Sequence, residues 1–363
     1  MRLRLLVPLA FLAGLALGCA KREPAKATPA PRPEPTEEEH PARAAVASVM
    51  ASVRARVSLA APAWELQPLC FGRRLFVRLG NANVEVYSLP DAASVMEKPL
   101  DGARGVVELA GGSVVAVGLE RALRIDPGAK VPVRLPPVPW LPGTLLLPER
   151  RDSGMLWAVQ AGGRSFLRQR LDLDPTRSFD KAITLEGYDG GSVAALRDGA
   201  LLYRSTDGVR RALPESRPHA FRTQLEPWRL LPGRRLDQAW AIAPDGQVEL
   251  WQLADRLTVV QHFAAGAAPF SAAASSDFLA LVVVDEPGNA ERRFRLLAFD
   301  NEGALVLEHA LPPGPAESGE DWTEVAVRDR HVALSDTEPF VAVGGPGSFE
   351  VLKLPGGEHV LSR

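Results

Sequence analysis

The chain has 363 residues, a formal net charge of −2 and two cysteines. That near-neutral balance excludes the basic footprint of a nucleic-acid-binding protein. Hydrophobic residues make up 46% of the chain, enough for a large core, and no apolar run is long enough to span a bilayer.

Met1-Arg2-Leu3-Arg4 supplies positive charge, Leu5 to Gly18 is apolar, and Ala16-Leu17-Gly18-Cys19 offers small residues before a cysteine. The apolar run falls well short of the ~20 residues of a spanning helix and suits the core of a signal peptide. It resembles a bacterial lipoprotein signal, with Ala16 in place of the usual Leu. The resemblance implies that residues 1–18 are removed and that Cys19 takes a diacylglycerol and a palmitate-type acyl chain. Ala20 stands where an inner-membrane retention signal has Asp. By the same resemblance the lipid sits in the outer membrane, with the folded part on the periplasmic side or the cell surface. Losing Arg2 and Arg4 moves the net charge from −2 to −4. With Cys19 lipidated, Cys70 has no disulfide partner. Its setting, Pro68-Leu69-Cys70-Phe71, predicts a buried structural thiol.

Residues 19–43 follow as a tether. Six prolines stand among Lys, Arg, Glu and Ala in this segment, and nothing apolar is larger than Ala. Such a composition cannot build a core and predicts disorder or polyproline-like chain. Residues 44–63 read two ways. Val46, Val49, Met50, Val53 and Val57 fit a helical face, whereas Val53, Ala55, Val57 and Leu59 alternate with Arg54, Arg56 and Ser58 as an edge strand does. In the second reading the strand clasps the end of the domain that follows.

From residue 64 to 363 the texture is constant. Short β-type runs such as Ser113–Val117, Met155–Val159 and Phe278–Val284 are punctuated by Gly, Pro and the hairpin pairs Asp198-Gly199, Asp207-Gly208 and Asp245-Gly246. No helix of ordinary length is predicted, so the fold class is all-β. One strand recurs: Val84-Glu85-Val86-Tyr87-Ser88-Leu89-Pro90, Val248-Glu249-Leu250-Trp251-Gln252-Leu253 and Phe349-Glu350-Val351-Leu352-Lys353-Leu354-Pro355. Looser copies end near 125, 171, 213 and 299. The seven copies are spaced by 36 to 55 residues with a mean of about 44, the period of a four-stranded propeller blade. The expectation is a seven-bladed β-propeller of four-stranded antiparallel blades. Its last blade runs through 331–335, 340–343, 349–354 and 359–361. Over about 300 residues the pattern resembles the WD40-like propellers. It departs from them in carrying Trp251-Gln252 at the Trp-Asp position and no Gly-His pair, and the tryptophan-docking consensus of quinoprotein propellers is not evident.

Catalytic motifs are missing from the sequence: there is no G-x-S-x-G elbow, no phosphate loop and no H-E-x-x-H pair. The six histidines show no ligand spacing. Asp172-Leu173-Asp174 opens like a calcium loop, but Arg177 and Ile183 occupy the turn-glycine and bidentate-acid positions. No metal or cofactor is therefore expected.

Two patterns remain. Trp64, Trp140, Trp228 and Trp322 stand before inner strands at spacings of 76, 88 and 94 residues. They read either as wedges between blades or as a ring of exposed partner-binding indoles at one mouth. Arg73-Arg74, Arg150-Arg151, Arg234-Arg235 and the spaced Arg328/Arg330 follow each tryptophan, at the expected turn from inner to second strand. Arginine forks suit carboxylates and phosphates, while Glu149, Asp152, Asp237 and Asp329 nearby dilute the charge and allow plain solubilising turns.

The chain thus reads as a lipid-anchored, non-catalytic, monomeric propeller. It would serve as a protein-binding scaffold in the bacterial envelope, with no nucleic acid as partner. The rival reading is a propeller enzyme, either a quinone-dependent dehydrogenase or a hydrolase acting on envelope glycans or peptides.

Overall fold

The computed structural model describes residues between Val53 and Leu354. It is unbroken over 183–213, 216–285 and 293–311, and 171–182 and 312–330 are the longest breaks. The chain divides into the units Met1–Ala47 and Ser48–Arg363, and every described residue falls in the second. The tether, Cys19, Cys70 and residues 44–52 lie outside the described residues.

Twenty-eight strands and no helix occur among the described residues. Val53–Ser58 is β1. Ala63–Leu69, Arg74–Leu79, Asn83–Ser88 and Leu100–Asp101 are β2–β5, and Ala103–Glu108, Val114–Gly118, Ala122–Ile125 and Val133–Leu135 are β6–β9. Leu145–Pro148, Met155–Val159, Ser165–Arg170 and Ile183–Thr184 are β10–β13. Tyr188–Ala195, Leu201–Ser205, Gly208–Ala212 and His219–Phe221 form β14–β17, and Arg229–Pro232, Gln238–Ile242, Gln247–Leu253 and Leu257–Ala264 form β18–β21. Ala268–Ala274, Phe278–Asp285, Arg293–Asp300 and Leu305–Leu311 are β22–β25, and Val332–Leu334, Phe340–Gly345 and Ser348–Lys353 are β26–β28.

Each consecutive group of four forms one antiparallel sheet, and β26, β27 and β28 are joined by β1 as their fourth strand. From β6 to β26 the first strand of each sheet adjoins that of the next, β6 adjoins β3 of the preceding sheet, and β26 adjoins β2, so the ring closes. The hairpin signals turn where they should. Gly199, Gly208 and Gly246 take φ of 81°, 136° and 87°, a region where glycine alone carries no Cβ penalty.

The expectation of seven equal four-stranded blades is corrected. The structure has five full four-stranded blades, not seven, if a full blade has at least three residues in every strand. In β2–β5 and β10–β13 the outer strand has shrunk to two residues. For β5 the cause is visible. The chain after β4 folds back at once, Ser88 N–H donating to the Ala93 carbonyl and Val95 N–H to that of Val86, both at 2.8 Å. That return covers half the edge of β4 and leaves only Asn83 and Val84 to pair with β5. In the last sheet the strand beside β28 is β1, paired from Ser58 with Ser348 to Ala55 with Val351 and, past a register shift, Val53 with Leu352. Residues 359–361 lie outside the described residues.

The core lies between the sheets. Trp157 and Tyr203 pack between β10–β13 and β14–β17, Trp251 between that sheet and β18–β21, and Trp240 against β22–β25. At the closure Leu75, Val77, Phe340 and Phe349 form one cluster, with Ala55, Val57 and Leu59 against it. Alternating strand positions feed these layers, since residues two apart share a face.

Candidate binding site on the arginine rim

The antiparallel path gives the ring two ends. At one end lie the turns from first to second strand and from third to fourth; at the other lie the second-to-third turns and the passages between blades. Arg234 and Arg235 occupy the β18–β19 turn at the first end, and both are exposed. The turn around them is fixed. Gly233 N–H donates to the Gln238 carbonyl at 2.8 Å, Gln238 N–H to the Arg235 carbonyl at 3.2 Å, and Arg235 N–H to Gln238 Oε1 at 3.2 Å. Gln238 is buried, so it anchors the turn from below. From the preceding blade Arg197 Nε donates to the Gly233 carbonyl at 2.7 Å. Leu236, next to the arginine pair, is 56% exposed.

Two further arginines join this rim that their spacing in the sequence did not single out. His219 Nε2 donates to the Asp255 carbonyl at 3.1 Å, which brings the start of β17 to the β20–β21 turn. Arg217 and Arg256 flank that contact, and both are exposed. No short-range motif marks them, because they belong to different blades. Arg211 and Asp198 on the same rim form a salt bridge. Neither Arg234 nor Arg235 forms an ion pair among the described residues.

The remaining expected site residues fall differently. Arg74 opens β3 at the same end of its blade but is half-buried, and its Nη1 has no hydrogen-bond partner among the described residues. Arg73, Arg150 and Arg151 stand in the corresponding first-to-second connections and lie outside the described residues. Arg328 and Arg330 also lie outside them, in the stretch before β26. Since β26 is the first strand of its sheet, they precede the inner strand instead of following it. Trp64 is the second residue of β2. Trp228 sits in the bend before β18, at the opposite end from Arg234. It is 37% exposed, and its main-chain N–H donates to the Ile242 carbonyl at 2.8 Å. Trp140 and Trp322 lie outside the described residues. Among the described residues, Trp157, Trp240 and Trp251 fill sheet interfaces, all fully buried.

The Trp228 end carries charge of another kind. Arg210 reaches Glu186 and Asp207, each at 3.1 Å, and Arg204 reaches Asp189 at 2.5 Å. The Arg210 guanidinium, with the Ser205 hydroxyl, holds the Asp207 carboxyl below the usual carboxylate range. Burial pushes Tyr188 and Tyr203 above the ordinary phenol value. These two arginines are matched internally, whereas Arg234 and Arg235 are free to meet an outside acid.

The β-propeller domain of Myceliophteria thermophila Cps50 (Swd1) superposes with a TM-score of 0.57 at 12% identity, covering 84% of this chain and 99% of that one. A streptogramin B lyase structure superposes with a TM-score of 0.53 at 11% identity, covering 83% and 97%. The fold is a β-propeller. No protein-family model matches the chain, and no curated protein matches it in sequence. At such identities the likeness concerns the propeller's architecture, and function must be argued from its own residues. Among those described, no three His, Cys, Asp or Glu side chains gather as a metal site would require, and no helix is long and apolar enough to cross a membrane.

Proposed function

We propose that this propeller is a lipid-anchored, non-catalytic protein-binding platform of the bacterial envelope. Cys19 would carry the lipid, residues 20–43 would form the tether, and the arginine rim would be the docking surface. One observation carries the reading: Arg234, Arg235 and Leu236 are exposed on a turn whose main chain is fixed by buried Gln238 and by Arg197. A turn whose main chain is already held in one conformation loses less entropy on binding than a mobile loop, and arginine is enriched at interface hot spots. The WD40-like neighbour supports a binding role at the level of fold alone. Attachment to the outer membrane follows from the Cys19 signal and from Ala20.

The test is capture from envelope extracts with lipidated protein. Arg234→Glu/Arg235→Glu should keep the fold, since exposed charges contribute little each. It should lose the retained partner, and wild-type capture should weaken as salt rises. A double variant that retains the same proteins at low salt would refute the arginine rim as the docking surface. Fatty-acid labelling that persists in Cys19→Ala would refute the anchor.

A further inference from the structure

The outer strand β21 has an unusual edge. Its eight residues, Leu-Thr-Val-Val-Gln-His-Phe-Ala, contain no charged residue, proline or glycine. Thr258, Val259, Val260, His262 and Ala264 are exposed, Val259 by 44% and Val260 by 55%. Proteins ordinarily blunt such an edge with charge, proline, shortness or a covering segment. The other outer strands do so. In β25, Glu308 pairs with Arg295 at 2.5 Å and His309 meets Glu350 of the next sheet at 2.9 Å. Arg54 and Arg56 belong to β1, Arg134 to β9, and β17 has only three residues.

We propose that β21 is a strand-addition site. It would pair antiparallel with an extended, uncharged, β-branched segment of a partner protein that carries acidic residues at its C-terminal end. This rests on the binding-platform reading and names the partner's chemistry. The open edge offers main-chain N–H and C=O groups, which only another extended chain satisfies in series. Antiparallel pairing brings the segment's C-terminus to the Leu257 end. There Arg256 precedes the strand, and Arg217 lies across the His219–Asp255 contact. These two exposed arginines outnumber the one exposed acid of that turn, Asp255. The occupant is not a second copy. Val260 is an extra residue opposite the Leu250–Trp251 step, and a bulge bends the edge and interrupts its ladder. Two copies would set bulge against bulge, whereas a foreign segment can break its own pairing at that point.

Amide hydrogen exchange on the purified protein tests this, with eight-residue peptides of alternating Thr and Val, blocked at both ends and finishing in two Asp or two Lys. The Asp-ended peptide should slow exchange within 257–264 and bind about three- to fivefold tighter at low salt, the scale of an exposed ion pair. Arg217→Glu/Arg256→Glu should reverse that preference. Unchanged exchange in β21 with every peptide would overturn the proposal, as would equal binding of the two endings. So would a dimer, seen in sedimentation, that protects β21 without peptide. None of these results would touch the platform reading, which stands or falls on capture by the Arg234/Arg235 variant.

Discussion

Trp251 donates its indole N–H to the carboxylate of Glu249, two residues back on the same strand, at 2.5 Å. The repeat encodes this relationship. In β4 the Tyr87 hydroxyl donates to Glu85 in the same way. In β28 the residue two beyond Glu350 is Leu352, which has no donor, and His309 of the neighbouring sheet takes the role at 2.9 Å. A carboxylate that enters a sheet interface needs such a partner, because burying it unpaired is costly. Where the strand lost its aromatic donor, the partner comes from another blade.

Removing that donor has a foreseeable cost. Trp251→Phe keeps most of the buried ring and deletes the N–H. It should lower stability by about 1–3 kcal/mol, the range for a hydrogen bond to a charged group. Glu249→Gln should cost less, and the double variant should cost less than the two single changes together, since both remove one contact. Urea denaturation of the four proteins gives the coupling directly.

All three tyrosines of the chain, Tyr87, Tyr188 and Tyr203, have their phenols pushed above the ordinary value, burial being the first cause in each. For Tyr87 the hydrogen bond to Glu85 and its charge add to the effect. A phenol pKa higher in the folded than in the unfolded state contributes stability that is intact below about pH 10, the unfolded value, and fades as pH rises further. The domain should therefore be weakened by alkali. Tyrosinate absorbance should appear together with the loss of near-ultraviolet dichroism, with no earlier phase. Tyr87→Phe, which removes one of these phenols, should make the loss of stability with rising pH less steep.

Where the sequence was legible, local chemistry and repetition agreed. The Val-Glu-Val-Tyr, Val-Glu-Leu-Trp and Phe-Glu-Val-Leu strands became β4, β20 and β28, each the third strand of its sheet. The Asp-Gly pairs turned hairpins because their glycines needed positive φ. Three things could not be read. The return of 93–95 onto β4, which cuts β5 to two residues, depends on two main-chain bonds that no motif announces. Among the described residues Trp157, Trp240 and Trp251 fill sheet interfaces from inside strands, because depth in an interface follows strand register, which their sequence context does not show. Arg217 and Arg256 share a rim only because His219 joins two blades.

Two glycines separate conformational strain from crowding. Gly266 has φ 75° and open space where a Cβ would stand. Gly266→Ala should cost about 1 kcal/mol, the penalty of the left-handed region alone. Gly246 has φ 87°, and a Cβ there would meet the Ala267 carbonyl oxygen at 2.4 Å. Backbone must shift to admit it, so Gly246→Ala should cost a further ~1–3 kcal/mol, as overpacking does. Thermal melts of both variants check the difference, and equal losses would mean that the β19–β20 turn yields freely.

The strand that closes the ring offers the sharpest test of the architecture. β1 joins the last sheet from the other end of the chain, pairing Val57 with Phe349 and Ala55 with Val351. Deleting residues 1–62 removes Ala55, Val57 and Leu59 from the cluster that holds Phe349 and Val351. Each such side chain is half-buried and contributes on the order of 1 kcal/mol, with the ladder hydrogen bonds adding ~0.5–1.5 kcal/mol apiece. The truncated domain should therefore melt well below one that starts at residue 44. The deletion also bares the edge of β28, whose Ser-Phe-Glu-Val-Leu-Lys run would offer unpaired main chain to other molecules. Concentration-dependent aggregation should follow, and a synthetic peptide of residues 48–62 should suppress it and restore part of the lost stability. Truncated and longer domains that melt alike, with the peptide inert, would show that β1 adds nothing to closure. Equal melting would also shift the stability of the ring onto the contacts between β26 and β2.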